Sequence, residues 1–174
     1  MTRFLIHLDA AYNLARWLMR NEHDAEDVVQ EAYLKAFRHL AGFRGDDGRS
    51  WLLAIVRNTC YDRLMQSGVR DNSAFDEGIH SVGQSTPNPE ASLLEKEKSE
   101  LLREVLAELP LEYREVLVLR ELEELSYTEI AGIAKIPLGT VMSRLSRGRR
   151  LLQQSFLDRT ARRNPHLQPS ISLD

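Results

Sequence analysis

Apolar residues recur every three or four positions along most of the chain, which is the spacing of one face of an α-helix. The first segment of this kind runs from Phe4 to Met19. Further segments cover residues 24–40, 51–66 and 92–109. No segment shows the sustained alternation of polar and apolar residues that is typical of a half-buried strand. The pattern therefore predicts an all-α protein.

Short polar residues and prolines mark where these helices begin and end. Asp24 and Ser50 are the predicted N-caps of the second and third helices, because their side chains accept hydrogen bonds from first-turn amides. Trp51, Leu52, Ile55, Val56 and Thr59 are the predicted inner residues of the third helix. Pro110 is predicted to end the fourth helix and to begin a fifth one, which carries Val116 and Leu117.

A polar stretch over residues 67–91 interrupts the helical pattern. It is rich in Ser, Gly, Asn and Asp, and it is longer than a loop within a compact domain usually is. We therefore predict two small helical domains, over residues 1–66 and 92–157, joined by a flexible linker over 67–91. A disordered tail is predicted over residues 158–174.

The stretch from residue 126 to residue 152 predicts two helices that are joined by a tight turn, as in a helix-turn-helix. Ser126 and Glu129 have the spacing of a capping box at the start of the first helix. Pro137 lacks an amide proton and disfavours helix at the residue before it, so the first helix should end by Ile136.

The second helix of this pair is predicted to bury one side and to expose a basic side. Its apolar stripe consists of Leu138, Val141, Leu145, Gly148 and Leu152. Its opposite side carries Ser143, Ser146, Arg147 and Arg150. Arginine and serine side chains contact base edges and phosphates in a DNA major groove. A solvated basic face on an ordinary bundle helix is the alternative interpretation.

Two further polar clusters each allow two interpretations. Asp24, Asp27 and Glu31 share one side of the second helix, and Glu31 is spaced to pair with Lys35. Such a cluster is either a docking face or a solvated, self-paired surface. On the third helix, Tyr61 could stack on an unpaired base or only cover the edge of the core.

Charge is distributed unevenly along the 174 residues, although the net charge is only −3. Residues 138–174 carry seven arginines against two aspartates, whereas residues 93–137 are strongly acidic. The small net charge argues against a generic nucleic-acid coat, and the asymmetry predicts one face for DNA and another for a different partner.

Several classes of function are not expected. The single Cys60 excludes an internal disulfide and a cysteine-rich zinc site. No nucleophile–base pair and no metal-ligand spacing is evident, so we expect neither an enzyme nor a cofactor. There is no apolar run near the ~18 residues of a membrane span and no signal-peptide pattern, so we expect a cytoplasmic protein without membrane insertion.

With these residues placed, the sequence resembles bacterial sigma factors of the extracytoplasmic-function (ECF) type from about residue 5 to residue 155. Two blocks in the family's order carry the resemblance. The first comprises DAEDVVQEAYLKAF (24–37), FRG (43–45) and WLLAIVRN (51–58). The second comprises LP (109–110), REVL (114–117), LREL (119–122), LSYTEIA (125–131) and PLGTVMSRL (137–145).

The resemblance implies roles for individual residues. Docking on core RNA polymerase would use Asp24, Asp27, Gln30 and Glu31. Recognition of the melted minus-ten element would use Arg44, Trp51, Arg57, Asn58 and Tyr61. At the minus-thirty-five element, the DNA backbone would be contacted by Arg120, Tyr127, Thr128 and Thr140. The major groove there would be contacted by Met142, Ser143, Ser146, Arg147 and Arg149.

The resemblance also implies the partners, which are core RNA polymerase, promoter DNA and a cognate anti-sigma factor. Two departures from the family pattern affect the promoter sequence that is expected. The loop before Trp51 is one residue shorter than in many members and lacks an aromatic residue often found there. Met142 and Ser146 replace longer side chains, which places more of the direct readout on Arg147. The alternative function is a dimeric helix-turn-helix regulator that does not join polymerase.

Overall fold

The computed structural model describes residues 6–45, 47–68 and 89–163, and helices account for most of these residues. The first group is α1 (Leu8–Met19), α2 (Glu22–His39), a 3₁₀ turn (Leu40–Gly42) and α3 (Gly48–Gln66). The second group is α4 (Pro89–Glu108), α5 (Leu111–Leu117), a π-helical segment (Val118–Leu122), α6 (Tyr127–Ala134) and α7 (Leu138–Arg163). The described ranges contain no strand, and the all-α prediction is confirmed.

The N-caps of two helices lie three residues before the predicted ones. The side-chain oxygen of Asn21 accepts a hydrogen bond from the amide of Asp24 at 3.0 Å, so Asn21 is the N-cap of α2. The Asp47 carboxylate does the same for the amide of Ser50 at 2.9 Å and caps α3. The predictions of Asp24 and Ser50 as caps are therefore wrong, because each is the third residue of its helix.

The ends of the second group also differ from the prediction. α4 begins at Pro89, three residues before the predicted start. α7 continues to Arg163, so the predicted disordered tail is wrong for residues 158–163. This part of α7 is held against α4 by ion pairs, since Arg159 pairs with Glu104 and Glu108 on α4 and Arg163 pairs with Glu104 at 2.9 Å. Residues 69–88 of the predicted linker and residues 164–174 of the tail lie outside the described residues.

The first three helices pack on one another through small and branched side chains. The buried apolar residues of α2 are Ala25, Val28, Val29, Ala32 and Ala36. Helical periodicity over residues 24–40 predicts these five on the buried side together with Leu40, which is half-buried in the 3₁₀ turn. Small residues at this seam let α2 approach its neighbours closely, which places its acidic side beside α3.

The second group of helices is organised around α5, which packs against α7. Gly148 on α7 lies at their crossing, where a Cβ atom would come within 3.1 Å of a methyl group of Leu117. The buried guanidinium of Arg114 donates to the backbone carbonyls of Ala107 and Leu109 at 2.7 and 2.8 Å, which satisfies the end of α4. Gly148 thus allows α7 to pack closely on α5, and Arg114 connects α5 to the end of α4.

The two groups of helices share one contiguous apolar core in the described structure. α1 contacts α5, and α3 contacts α6. α3 is consequently buried on two sides, with Leu52 and Val56 on one and Leu53 and Cys60 on the other. The sequence predicted one inner side for this helix, and that prediction is incomplete. It omits the buried Leu53 and Cys60, and it includes Trp51 and Ile55, which are only half-buried.

Close packing at Gly148 gives a stability prediction. Replacing Gly148 with leucine should lower the free energy of unfolding by ~1–3 kcal/mol, because the added side chain overpacks the crossing of α7 with α5. The same replacement at Gly132, which has open space around its Cβ position, should change stability by less than ~0.5 kcal/mol. Urea denaturation followed by circular dichroism measures both values, and equal destabilisation at the two sites would contradict the prediction.

Candidate nucleic-acid interface and acidic docking face

The predicted helix-turn-helix is formed by α6, a short turn and α7. The hydroxyl of Ser126 accepts from the amide of Glu129 at 3.3 Å, and the Glu129 carboxylate accepts from the amide of Ser126 at 2.6 Å. The predicted capping box is therefore confirmed. α6 ends at Ala134, before Lys135 in the left-handed conformation, and α7 begins directly after Pro137.

One side of α7 is buried and the opposite side is exposed. Val141, Leu145 and Gly148 are buried, as the stripe predicted, whereas Leu152 is half-buried and Leu138 is exposed in the first turn. The exposed polar and flexible side chains are Met142, Ser143, Ser146, Arg147, Arg149 and Arg150. All five predicted groove-facing residues are thus at the surface of one helix, in the arrangement that a major groove admits.

The arginines of this surface differ in their intramolecular partners. Arg147 donates to the hydroxyl of Tyr113 at 3.3 Å. Arg149 donates from both Nε and Nη2 to one carboxylate oxygen of Glu121, at 2.9 and 2.7 Å. Arg149 makes two shorter bonds to a charged acceptor, whereas Arg147 makes one long bond to a neutral acceptor, so Arg149 is held more firmly in the free protein.

The four predicted backbone-contacting residues lie near the beginnings of α6 and α7. Thr128 and Thr140 belong to the first turns of these helices, where free amides and the helix dipole favour phosphate. Arg120 donates to the carbonyl of Leu125 at 2.8 Å, and its guanidinium lies 5.2 Å from the centre of the Tyr127 ring. Arg120 therefore fixes the turn that leads into α6.

The acidic side of α2 is exposed and paired with basic residues. Arg63 on α3 pairs with Asp24 at 3.3 Å and with Asp27 at 2.9 Å. Glu31 pairs with Lys35 at 2.8 Å, as the spacing predicted, while Gln30 is exposed beside it. The carboxylates remain about half exposed, so an incoming cationic surface can reach them.

The structure separates the predicted minus-ten residues into two groups. Trp51 lies at the start of α3 with its ring centre 4.6 Å from that of Phe43, and Arg44 is exposed in the loop before it. Arg57 and Tyr61 instead point towards the second group of helices. Asn58 lies between Arg57 and Tyr61 along α3 and is half-buried.

Arg57 and Tyr61 meet a carboxylate that was not predicted to be functional. Arg57 Nε donates to Glu115 Oε1 at 2.5 Å, and the Tyr61 hydroxyl donates to Glu115 Oε2 at 2.7 Å. The Arg57 guanidinium also lies 3.9 Å from the centre of the Tyr61 ring. Glu115 is 0% exposed. The sequence contains one indication that Glu115 is buried. Glu115 lies three residues before Val118 and four before Leu119, so it shares an apolar side of its segment with them.

Burial and charge shift the pKa values of this cluster in consistent directions. Burial raises the pKa of Tyr61, and the nearby Glu115 carboxylate raises it further. Burial alone would lower the pKa of Arg57, but the hydrogen bond and the charge of Glu115 outweigh it and raise that pKa. The arginine is therefore charged and the tyrosine neutral throughout the physiological range.

Within the described ranges, no cluster of three or more His, Cys, Asp or Glu side chains has the geometry to hold a metal ion. Within the same ranges, no helix combines the length and the apolar character that crossing a membrane requires.

Family models match both groups of helices. Residues 4–69 match sigma-70 region 2, which covers α1, α2 and α3. Residues 99–152 match sigma-70 region 4, which includes the helix-turn-helix. The two matches follow one another in the chain and leave residues 70–98 between them unmatched.

Curated relatives extend over most of the chain. It is 34% identical over 164 residues to the RNA polymerase sigma-H factor of Pseudomonas aeruginosa, covering 87% of this chain and 84% of the relative. It is 33% identical over 163 residues to the ECF RNA polymerase sigma factor SigW of Bacillus subtilis, covering 88% and 86%. The match to the ECF sigma factor SigE of Mycolicibacterium smegmatis is 36% identical over 147 residues, covering 84% of this chain but only 57% of that relative.

Solved structures share the fold. The sigma factor RpoE of Bartonella quintana, crystallised with the anti-sigma factor NepR, superposes with a TM-score of 0.73 at 25% identity, over 90% of this chain and 95% of that chain. CnrH in complex with the cytosolic domain of CnrY superposes with a TM-score of 0.58 at 26% identity, over 90% and 84%. Both regional models and relatives that align over most of their length therefore place this chain in the ECF subfamily of sigma-70 RNA polymerase sigma factors.

Proposed function

We propose that this sigma factor divides promoter recognition between two domains, α1–α3 and α4–α7, which lie on either side of the linker. The single observation that carries the proposal is the exposed polar side of α7, opposite a buried stripe and next to a capped α6. The match of residues 4–69 to sigma-70 region 2 favours a polymerase subunit over a stand-alone dimeric regulator.

The second domain contacts duplex DNA at the minus-thirty-five element. α7 enters the major groove with Met142, Ser143, Ser146, Arg147 and Arg149. Arg147 carries most of the direct contact with bases. Within the described structure it forms one long hydrogen bond, to the neutral hydroxyl of Tyr113, and the groove-facing residues Met142 and Ser146 beside it are apolar or short. Tyr127, Thr128 and Thr140 contact phosphates at the helix N-termini, and Arg120 contacts the backbone from the turn that it stabilises.

The first domain holds the melted minus-ten element. Arg44 attracts the phosphate backbone, and the stacked ring of Trp51 borders the strand. Asn58 and Tyr61 offer an amide and an aromatic ring for an extruded base, while Arg57 supplies charge. Extruding a base costs a few kcal/mol, which these contacts must offset.

The acidic side of α2 docks on core RNA polymerase. Its ion pairs with Arg63 and Lys35 are partly exposed, and pairs of this kind contribute only ~0–1 kcal/mol each. A cationic polymerase surface can therefore replace these partners at Asp24, Asp27 and Glu31 at little cost. Gln30, which has no charge, adds hydrogen bonds at the same surface.

Polymerase supplies affinity that the isolated protein lacks. A net charge of −3 and a small number of phosphate contacts give weak and salt-sensitive binding to DNA. Once docked, both domains face the promoter at a high effective concentration. The protein acts as a regulatory subunit rather than as an enzyme, without a cofactor of its own, and it acts in the cytoplasm with polymerase.

Control by an anti-sigma factor completes the proposed function. The Bartonella quintana relative was crystallised with the anti-sigma factor NepR, and CnrH with the cytosolic domain of CnrY. The present chain superposes on 90% of its length with each of them. We expect a comparable protein partner to restrict its access to polymerase.

Reversing the charge of the acidic face tests the docking assignment. The double variant Asp27→Lys/Glu31→Lys should lose binding to core polymerase, because two carboxylates that attract a cationic surface become repulsive. Its fold should remain intact, since both residues make only exposed ion pairs. Co-purification with core polymerase measures the binding, and circular dichroism measures the fold.

The matched control for this experiment is Asp9→Lys/Glu112→Lys, which changes the net charge equally at exposed carboxylates outside α2. The control should bind core polymerase like the unmodified protein. Undiminished binding by the Asp27→Lys/Glu31→Lys protein would remove the docking role from this face.

Removing Arg147 tests the groove assignment. Arg147→Ala should weaken recognition of the minus-thirty-five element roughly ten-fold or more, which is the discrimination expected from one bidentate arginine–guanine contact. Holoenzyme transcription and footprinting on promoters selected from a genomic library measure the effect. Mutating the contacted base pair should affect the unmodified protein but not the variant.

Arg162→Ala is the control for Arg147→Ala, because it removes the same charge from an exposed position near the far end of α7. Its promoter selectivity should be unchanged. If both variants transcribe and footprint like the unmodified protein, Arg147 has no role in recognition.

A further inference from the structure

A tyrosine on α5 contacts the arginine that is proposed to read bases. Nη1 of Arg147 donates to the hydroxyl of Tyr113 at 3.3 Å, across 34 positions of the chain. Tyr113 is half-buried, whereas Arg147 is exposed. Tyr113 belongs neither to the groove-facing residues nor to the backbone-contacting ones, yet it touches one of the former.

Close packing of α7 on α5 brings these two side chains together. Gly148 follows Arg147 in the chain, and a Cβ atom at Gly148 would lie 3.3 Å from Cβ of Tyr113. Because Gly148 has no side chain, the backbone of α7 can approach the base of the tyrosine. The hydroxyl at the far end of the ring then reaches the guanidinium of the adjacent residue.

Tyr113 is a stiffer side chain than the arginine that it contacts. Tyrosine has only two side-chain torsions, whereas an exposed arginine samples many rotamers. Ordering the arginine on binding DNA opposes binding, and a contact that orders it beforehand avoids part of this loss. The hydroxyl of Ser143, one turn earlier on α7, donates to the carbonyl of Thr140 instead. The support for Arg147 thus comes from a second helix.

The hydrogen bond to Tyr113 does not use the donors that pair with a guanine. It takes a donor at Nη1, whereas Nε and Nη2 form a separate edge of the planar guanidinium. Such an edge pairs with O6 and N7 of guanine in the major groove. The hydrogen bond with Tyr113 raises the pKa of Arg147, and the charge of Glu112 raises it further, so every donor stays protonated. Arg147 can therefore keep its partner while it binds a base.

Arg149 shows the opposite arrangement. Its Nε and Nη2 donors both bond to Glu121, so that edge already pairs with a charged acceptor. A base can pair with the same edge only after the carboxylate has been replaced. Tyr113 thus prepares Arg147 for a base, whereas Glu121 restrains Arg149.

We propose that Tyr113 is a positioning residue for promoter recognition, which holds Arg147 through Nη1 and thereby directs its Nε–Nη2 edge towards a guanine of the minus-thirty-five element. This inference rests on the proposed function, because it concerns the arginine assigned to that element. Tyr113 acts through Arg147, so its effect is confined to the base pair that Arg147 contacts.

The support affects discrimination between bases more than attachment to DNA. A bidentate contact depends on the orientation of two donors at once, and removing their support weakens it at one base pair. The contacts that other residues make with phosphates stay in place, and they carry no sequence information. Loss of the tyrosine hydroxyl therefore reduces sequence preference at a single position.

Replacing Tyr113 with phenylalanine tests the inference, because it removes the hydroxyl and keeps the ring. Holoenzyme formed from the full chain and core polymerase transcribes two templates in one reaction. One is a selected promoter, and the other has the base pair contacted by Arg147 replaced. Tyr113→Phe should lower the ratio of the two transcripts about three-fold or more, the size expected from one hydrogen bond. Circular dichroism with urea denaturation verifies the fold.

Two controls accompany this measurement. Tyr12→Phe also removes one hydroxyl, which bonds to Glu22 in the first domain, and it should leave the ratio unchanged. A template with a different minus-thirty-five base pair replaced should be discriminated equally by Tyr113→Phe and by the unmodified protein.

The double variant Arg147→Ala/Tyr113→Phe separates positioning from a direct contact of Tyr113 with DNA. Without the arginine the hydroxyl has nothing to position, so the double variant should transcribe both templates like Arg147→Ala alone. The inference is overturned by an unchanged ratio in Tyr113→Phe, by an equal loss at every base pair, or by a further loss in the double variant.

The same reactions distinguish this inference from the proposed function. An unmodified protein that forms no holoenzyme, or that prefers no base pair at the minus-thirty-five element, rejects the proposed function and this inference with it. An unmodified protein that shows the preference, together with a Tyr113→Phe protein that keeps it in full, rejects the inference alone.

Discussion

A carboxylate without access to solvent requires partners, and within the described structure the hydrogen-bond donors to the Glu115 side chain lie on the other domain. Its pairing with Arg57 and Tyr61 determines which side of α3 faces α5 and α6. It also explains why α3 is apolar on two sides, since one side packs against α2 and the other completes the core of the second domain. The separation of the proposed minus-ten residues into two groups follows from the same contact.

Local chemistry explains the parts of the fold that the sequence predicts well. The capping box at Ser126 and Glu129, the break at Pro137 and the pair of Glu31 with Lys35 each involve neighbours within four residues. The buried side of α2 and most of the stripe of α7 follow from helical periodicity alone. The resemblance to a family predicts which region comes first in the chain, and helical periodicity alone cannot predict that order.

Features that depend on distant partners were not predictable in this way. Arg57 and Glu115 are 58 positions apart, and Arg49 and Glu123 are 74 apart. The ion pair that joins the end of α7 to α4 links Arg159 and Glu104 across 55 positions. The N-caps Asn21 and Asp47 were missed for a different reason. Several nearby polar residues can each cap the start of a helix, and only the hydrogen-bond geometry of the folded chain shows which one does.

The pairing of Arg149 with Glu121 has a consequence for how DNA binding responds to salt. In the proposed complex with DNA, an arginine that is already paired with a carboxylate must exchange that partner for a group in the major groove. The exchange leaves Glu121 unpaired close to the DNA, where it needs a cation from solution. Counterion release from the DNA is then partly offset by counterion uptake at the carboxylate. If both arginines bind DNA as proposed, Arg149 therefore contributes less to the salt dependence of binding than Arg147, although both residues carry the same charge.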